Sequence, residues 1–317
     1  MAARRTATVL VYRQSEADVF AAHVRAPRDR VKIHVAASPD AAAEVVGEAD
    51  VMWGWKFPPA LYAKAPRLAW LETMGAGVDW ALVTELPSRV TVTRAAGIFG
   101  PWMAEYTLGW CLRATQRMAE YREAQRARHW RADLMPDRLA GKTMVIVGLG
   151  EIGRTIARAA RSLGMKIIGV SRSGRGAAGV SRVYRTAQLT RALAEGDFVV
   201  LIMPLTAATR GIIGERELAA MKSSAWLVNI GRGPLVDEAA LVRALTGKRI
   251  AGAVLDVFAT EPLPPEHPLW ALDNVVVTPH IAGPDVPEEL PAAFNANLTR
   301  YLAGRPLRHV VDRRRGY

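Results

Sequence analysis

The chain has 317 residues, half of them apolar, a single cysteine and a formal net charge of +12. That length accommodates two domains with separate cores. No run approaches the ~18 apolar residues of a membrane span. The basic start, Met1-Ala-Ala-Arg-Arg5, is not followed by a hydrophobic stretch and cleavage site, so no signal peptide is expected. Cys111 alone excludes intrachain disulfides and fits a reducing cytoplasm. The positive charge does not read as nucleic-acid binding. The basic residues are spread over the chain, and no zinc-finger spacing or aromatic-interleaved basic motif appears. A general positive field instead favours anionic small molecules. His23, His34, His129, His267 and His309 are scattered without metal-ligand spacing, so no metal is expected.

In chain order, short apolar strands are expected at 8–12, 32–36, 50–55, 68–74 and 90–93, with helical segments between them. A long helical pattern follows at about 101–129. It carries an apolar face (Met103, Tyr106, Trp110, Leu112) and then a charged half from Arg117 to Arg128. A second strand series is expected at 144–147, 166–170, 197–202, 225–230, 251–257 and 274–278, then a last helix at 291–302. This alternation predicts an α/β fold of two doubly wound parallel-sheet domains. Gly100-Pro101 and Gly283-Pro284 read as crossings. They give a substrate domain of residues 1–100 plus 284–317 and a Rossmann dinucleotide-binding domain of residues 101–283. The ligand site is expected in the cleft between the two, beside the carboxyl ends of the strands.

The second series opens on Gly148-Leu149-Gly150-Glu151-Ile152-Gly153 between an apolar strand and a helix. Gly148 allows the tight turn, Gly150 lets backbone approach a pyrophosphate, and Gly153 lets helix and strand pack closely. The helix N-terminus presents N–H groups to the phosphates. An acid normally ends the next strand and bonds the ribose 2′-OH. Here that place holds Ser171-Arg172-Ser173, and no acid lies between Glu151 and Glu195. A carboxylate would repel a 2′-phosphate, whereas Arg172 can grip one bidentately and the serines can donate to it. NADP, with NADPH preferred over NADH, is the expected cofactor.

Three later segments each place one polar residue after an apolar strand: Arg232, Glu261 and His280. Alone, each reads as structural or as solvated surface. Together they form a usable set. A ketone receiving a hydride needs a proton donor, and His suits that near neutral pH. A carboxylate on the other ring nitrogen fixes the tautomer, and an Arg binds a substrate carboxylate and polarises the carbonyl. Other chemistries fail on spacing. Gly141-Lys142-Thr143 mimics the end of a P-loop, but Pro136 stands where its first Gly should be. No G-x-S-x-G elbow is present.

The chain carries the motifs Gly75-Ala-Gly-Val-Asp79, Met103-Ala-Glu-Tyr106, Gly148-Leu-Gly-Glu-Ile-Gly153, Asn229-Ile-Gly-Arg-Gly233, Leu255-Asp-Val-Phe258 and Thr278-Pro-His-Ile-Ala-Gly283. On them the chain resembles the D-isomer-specific 2-hydroxyacid dehydrogenases, most of all the glyoxylate/hydroxypyruvate reductase A branch. The resemblance implies a flavodoxin-like substrate domain, Arg232 as carboxylate anchor, His280 as acid/base and Glu261 as its partner. It implies Asp256 beside the nicotinamide carboxamide and Gly75-Ala76-Gly77 offering N–H groups to the substrate carboxylate. Trp55 and Lys56 are counted with them as substrate-binding candidates. Pro204, Thr209, Ile230, Gly231, Arg232, His280 and Gly283 complete the cofactor set. The implied activity is NADPH-dependent reduction of a small 2-oxoacid by a homodimer. Two alternatives stay open. Trp53, Trp55, Phe99 and Trp102, expected in loops, could line a pocket for a bulkier aromatic or branched oxoacid. A nucleotide-sensing binding protein of the same fold is the other.

Overall fold

A computed structural model describes residues 5–317. The Met1–Arg4 part of the basic start lies outside the described residues. The chain divides into two compact units, residues 1–98 with 285–317 and residues 99–284. Among the described residues no helix is long and apolar enough to cross a membrane, and no cluster of three or more acidic, His or Cys side chains could hold a metal.

The first unit contains strands β1 (Ala7–Tyr12), β2 (Val31–Ala36), β3 (Val51–Gly54), β4 (Trp70–Thr73) and β5 (Thr91–Arg94). Its helices are α1 (Ala17–Ala22), α2 (Pro39–Val45) and α3 (Ala60–Ala63). All strand pairs are parallel, in the order β2-β1-β3-β4-β5. Parallel strands need covering on both faces, and β1, β3 and β4 are buried at every position. One cover is the helix α10 (Pro291–Leu302), which lies in this unit. Phe294 of that helix stacks on Trp53 at 4.5 Å and on Trp70 at 5.2 Å between ring centroids.

A carboxyl group is sealed beneath this aromatic layer. Glu72, in the middle of β4, is 0% exposed. Its Oε2 accepts from the Thr93 hydroxyl and from Asn297 Nδ2 of α10, both at 2.8 Å, while Oε1 meets no partner among the described residues. Burial pushes its pKa up to about 7 against those two hydrogen bonds. A folded-state pKa above the unfolded value means that the folded chain holds the proton more tightly. Stability is therefore lost as pH rises from about 4.5 to about 7. Glu72→Gln keeps an acceptor for both donors and removes the charge. It should raise the denaturation midpoint at pH 8, by up to about 3 kcal/mol of stability, and give no gain at pH 4.5. Urea denaturation at the two pH values checks this, and an equal effect at both contradicts it.

The second unit contains helices α4 (Phe99–Thr115) and α5 (Met118–Arg126), then strands β6 (Thr143–Val147), β7 (Lys166–Ser171), β8 (Arg182–Arg185), β9 (Phe198–Leu201), β10 (Trp226–Asn229), β11 (Gly252–Leu255) and β12 (Val275–Val277). Between the strands lie α6 (Glu151–Ser162), α7 (Leu189–Leu193), α8 (Glu215–Ala220) and α9 (Glu238–Thr246). The seven strands are parallel, in the order β12-β11-β10-β9-β6-β7-β8. The order reverses between β6 and β9, the position at which doubly wound sheets bind ligands.

Three local expectations are corrected. The helix expected over 101–129 is two helices, because Arg117 takes a left-handed φ of 52° between α4 and α5. Gly100 and Pro101, read as a crossing, lie inside the first turn of α4. Strand β8 was not expected; it is a short edge strand with no fully buried residue.

Candidate functional site

The glycine-rich turn sits at the reversal point. Gly148 has a φ of 117°, and a Cβ there would lie 2.4 Å from the Ile202 carbonyl oxygen at the end of β9. A Cβ on Gly153 would lie 2.0 Å from the Gly148 oxygen, so α6 can approach the end of β6 only with glycine at 153, while Gly148 lets the turn pass close to the end of β9. Gly150 differs: a Cβ there would meet nothing within 4 Å. It stands at the N-cap of α6 with no side-chain cap, and Glu151 and Ile152 follow in the first turn. The space above Gly150 and the uncapped N–H groups fit a pyrophosphate. Leu149 packs against Gly169 of the next strand, where a Cβ would lie 2.3 Å from its Cδ1. Ser171 ends β7, and Arg172 and Ser173 form an exposed bend after it. The Ser171 hydroxyl accepts from the Gly174 N–H at 3.1 Å. Its own hydrogen is left to donate.

Arg232, Glu261 and His280 follow β10, β11 and β12, three neighbouring strands of one sheet. Each polar residue therefore leaves the same carboxyl edge. The Arg232 turn is held by buried Asn229, whose Nδ2 donates to the Arg232 carbonyl at 3.0 Å and whose Oδ1 accepts from the Gly231 N–H at 3.2 Å. Arg232 Nη1 donates to the Gly231 carbonyl at 2.8 Å, which orients the guanidinium plane. A Cβ on Gly233 would lie 1.9 Å from the Phe258 carbonyl carbon. Gly233 thus lets the Arg232 turn lie directly against the turn that leads to Glu261.

Glu261 Oε1 accepts from the Phe258 N–H at 3.1 Å, and Oε2 lies 3.0 Å from His280 Nδ1. An ionised carboxylate only accepts, so Nδ1 carries the hydrogen and the ring presents Nε2. The His280 side chain is 37% exposed, within reach of a small solute. His280 has a left-handed φ of 56°, a conformation that costs energy for a residue with a Cβ. Asp256, 1% exposed, holds it there. Its carbonyl accepts from the His280 N–H at 2.9 Å. Its Oδ1 accepts from the Thr278 hydroxyl at 2.6 Å and the Ile281 N–H at 2.9 Å, and Oδ2 from the Ala282 N–H at 2.9 Å.

The remaining candidates are placed as follows. Ile230 and Gly231 lead from β10 into the Arg232 turn, and Gly283 ends the His280 loop. Pro204 and Thr209 share a turn after β9, where the Thr209 hydroxyl donates to the Pro204 carbonyl at 2.8 Å. In the first unit, Gly75-Ala76-Gly77 follows β4 at its carboxyl end. The Trp55 ring lies over Gly75, so close that a Cβ there would fall 2.3 Å from it. Lys56, at φ 52°, sets its Nζ 5.9 Å from the Trp55 ring centre.

Of the four aromatic residues expected in loops, only Trp55 lies in one. Trp53 belongs to β3 and is fully buried between Phe20 and Phe294. Phe99 and Trp102 belong to α4; Phe99 is buried near Gly283 and Trp102 is exposed. Sequence reasoning does not single out Thr278 as a site residue, although it stands two positions before His280.

Residues 108–282 match the family described as D-isomer specific 2-hydroxyacid dehydrogenase, NAD binding domain. The glyoxylate reductase of Aeropyrum pernix is 38% identical over 265 residues, 80% of this chain and 79% of that protein. The glyoxylate/hydroxypyruvate reductase A of Serratia proteamaculans is 33% identical, over 85% of this chain and 88% of that one. Among solved structures, the NADPH-dependent glyoxylate/hydroxypyruvate reductase of Sinorhizobium meliloti, in complex with NADP and sulfate, is 32% identical. It superposes with a TM-score of 0.90 over 99% of this chain and 100% of its own.

Proposed function

The chain belongs to the D-isomer specific 2-hydroxyacid dehydrogenase family, and we propose that it reduces a small 2-oxoacid such as glyoxylate or hydroxypyruvate to the D-2-hydroxyacid with NADPH. The observation that carries this reading is the placement of Arg232 and the Glu261–His280 pair on three neighbouring strands of the glycine-turn sheet. NADPH, when bound, supplies the hydride to the carbonyl carbon. His280 gives the proton from Nε2 to the carbonyl oxygen, completing the alcohol. Glu261 steadies the imidazolium from the Nδ1 side. Arg232 binds the substrate carboxylate and draws charge from the carbonyl. The NADP and NADPH complexes of the relatives from Sinorhizobium meliloti and Xanthobacter autotrophicus support the cofactor assignment. NADPH oxidation across glyoxylate, hydroxypyruvate, pyruvate and phenylpyruvate tests the reading. The small oxoacids should be the best substrates, and oxidation by none of the four rejects it.

Cofactor choice is assigned to the bend after β7. Arg172 would bind the 2′-phosphate, with the hydroxyls of Ser171 and Ser173 beside it. NADPH should be preferred over NADH by at least about tenfold in kcat/KM, about 1.4 kcal/mol. Arg172→Ala should erode that preference and spare NADH turnover. Equal use of both cofactors by the wild type contradicts the assignment.

A homodimer is part of the proposal. Tyr106, Trp110, Arg113 and Met118 line a groove between α4 and α5, and Trp130 beyond them is 96% exposed. Light scattering should give about twice the 34.5 kDa chain mass. A single species at 34.5 kDa at micromolar concentration rejects it.

A further inference from the structure

The loop that carries His280 is gripped from two sides. From below, Asp256 binds it at Thr278, His280, Ile281 and Ala282, as described. From the side, α4 meets it at both ends. Gly283 lies so close to Phe99 and Met103 that a Cβ there would fall 3.2 Å from the Phe99 ring and 3.3 Å from Met103 Cγ. At the other end the Tyr106 hydroxyl lies 2.6 Å from the Thr278 hydroxyl oxygen. Thr278 spends its hydrogen on Asp256, so Tyr106 is the donor of this pair. The result is a one-way chain, Tyr106 to Thr278 to Asp256, ending on a nearly fully buried carboxylate. Its phenol stays protonated: burial, helped by the Asp256 charge, raises the Tyr106 pKa.

We propose that Tyr106 is a positioning residue for the acid/base His280, its hydroxyl locking Thr278 and Asp256 into the arrangement that holds His280 in its left-handed conformation. The claim rests on the reading of His280 as proton donor. Tyr106 touches no reacting atom. Its effect is on the orientation of Nε2, which matters when the proton moves and little when the oxoacid binds. A buried loop bond of this kind is worth a factor of about five to ten when removed.

The test uses Tyr106→Phe in the full chain. The kcat for the preferred oxoacid should fall about five- to tenfold, with KM changed by less than about twofold. Thr278→Val should give a similar loss, and Thr278→Ser, which retains the hydroxyl, should recover most of it. In the Thr278→Val background, Tyr106→Phe should add almost nothing, because the chain is already cut. Amide hydrogen exchange on the chain without substrate supplies a second readout. The N–H groups of His280, Ile281 and Ala282 should exchange at least about threefold faster in Tyr106→Phe, with the melting temperature within about 2 °C of wild type. Unchanged exchange in that loop, or fully additive effects of the two substitutions, overturns the proposal. The exchange arm needs no turnover. Absence of any oxoacid reduction by the wild type would therefore reject the reductase reading while leaving the loop-locking claim to be decided by exchange.

Discussion

Replacing His280 by Gln should lower kcat for oxoacid reduction by roughly 100-fold or more, with NADPH affinity unchanged within a few-fold. The amide has a similar reach and can still meet Glu261, but it cannot deliver a proton to the alkoxide that forms as the hydride arrives. The geometry gives no obvious substitute. Both Glu261 oxygens are engaged, one accepting from the Phe258 N–H and the other from His280 Nδ1. Steady-state kinetics, with cofactor binding read by fluorescence, check both points. Near-normal turnover in the variant contradicts the assignment of the acid.

Arg232→Lys carries the second large effect. The planar guanidinium matches a carboxylate through two parallel N–H bonds, which an ammonium cannot reproduce. An anchor that also polarises the carbonyl acts in both ground and transition states. KM for the oxoacid should therefore rise about tenfold and kcat fall about tenfold. NADPH affinity should change little, because its phosphates are assigned to the α6 N-terminus. The competing view, that Arg232 only braces its own turn, draws on the bond from Nη1 to the Gly231 carbonyl. The two views separate on a simple aldehyde. Lacking a carboxylate, it should already be a poor substrate and lose little more in the variant. Normal glyoxylate kinetics with a melting temperature lowered by several degrees would make Arg232 structural.

The parts of this account that were legible in the sequence are those written in short range. Apolar runs ending in glycine mark β6 and its turn, and the spacing from Gly148 to Gly153 follows from close packing that only hydrogen side chains permit. Arg232, Glu261 and His280 could be grouped because each follows a strand of one parallel sheet. What could not be read depends on contacts distant in sequence or on backbone geometry without a glycine to announce it. Tyr106 and Thr278 are 172 residues apart, and nothing local links them. The break at Arg117 has no Gly or Pro. It is fixed by tertiary bonds, the Asp137 N–H to the Thr115 carbonyl and the Gln116 side chain to the Asp137 carbonyl. Strand β8 is not legible because an edge strand of Arg-Val-Tyr-Arg lacks the apolar run of its buried neighbours. Glu72 sits in an apolar strand pattern, and only the fold shows that its partner is Asn297 on the last helix.

The most direct test of the central claim is the product formed from hydroxypyruvate and NADPH. The purified protein should oxidise one NADPH for each hydroxypyruvate consumed and release D-glycerate, resolved by chiral chromatography. Release of the L-isomer, or no NADPH oxidation with this or any other small 2-oxoacid, would contradict the account.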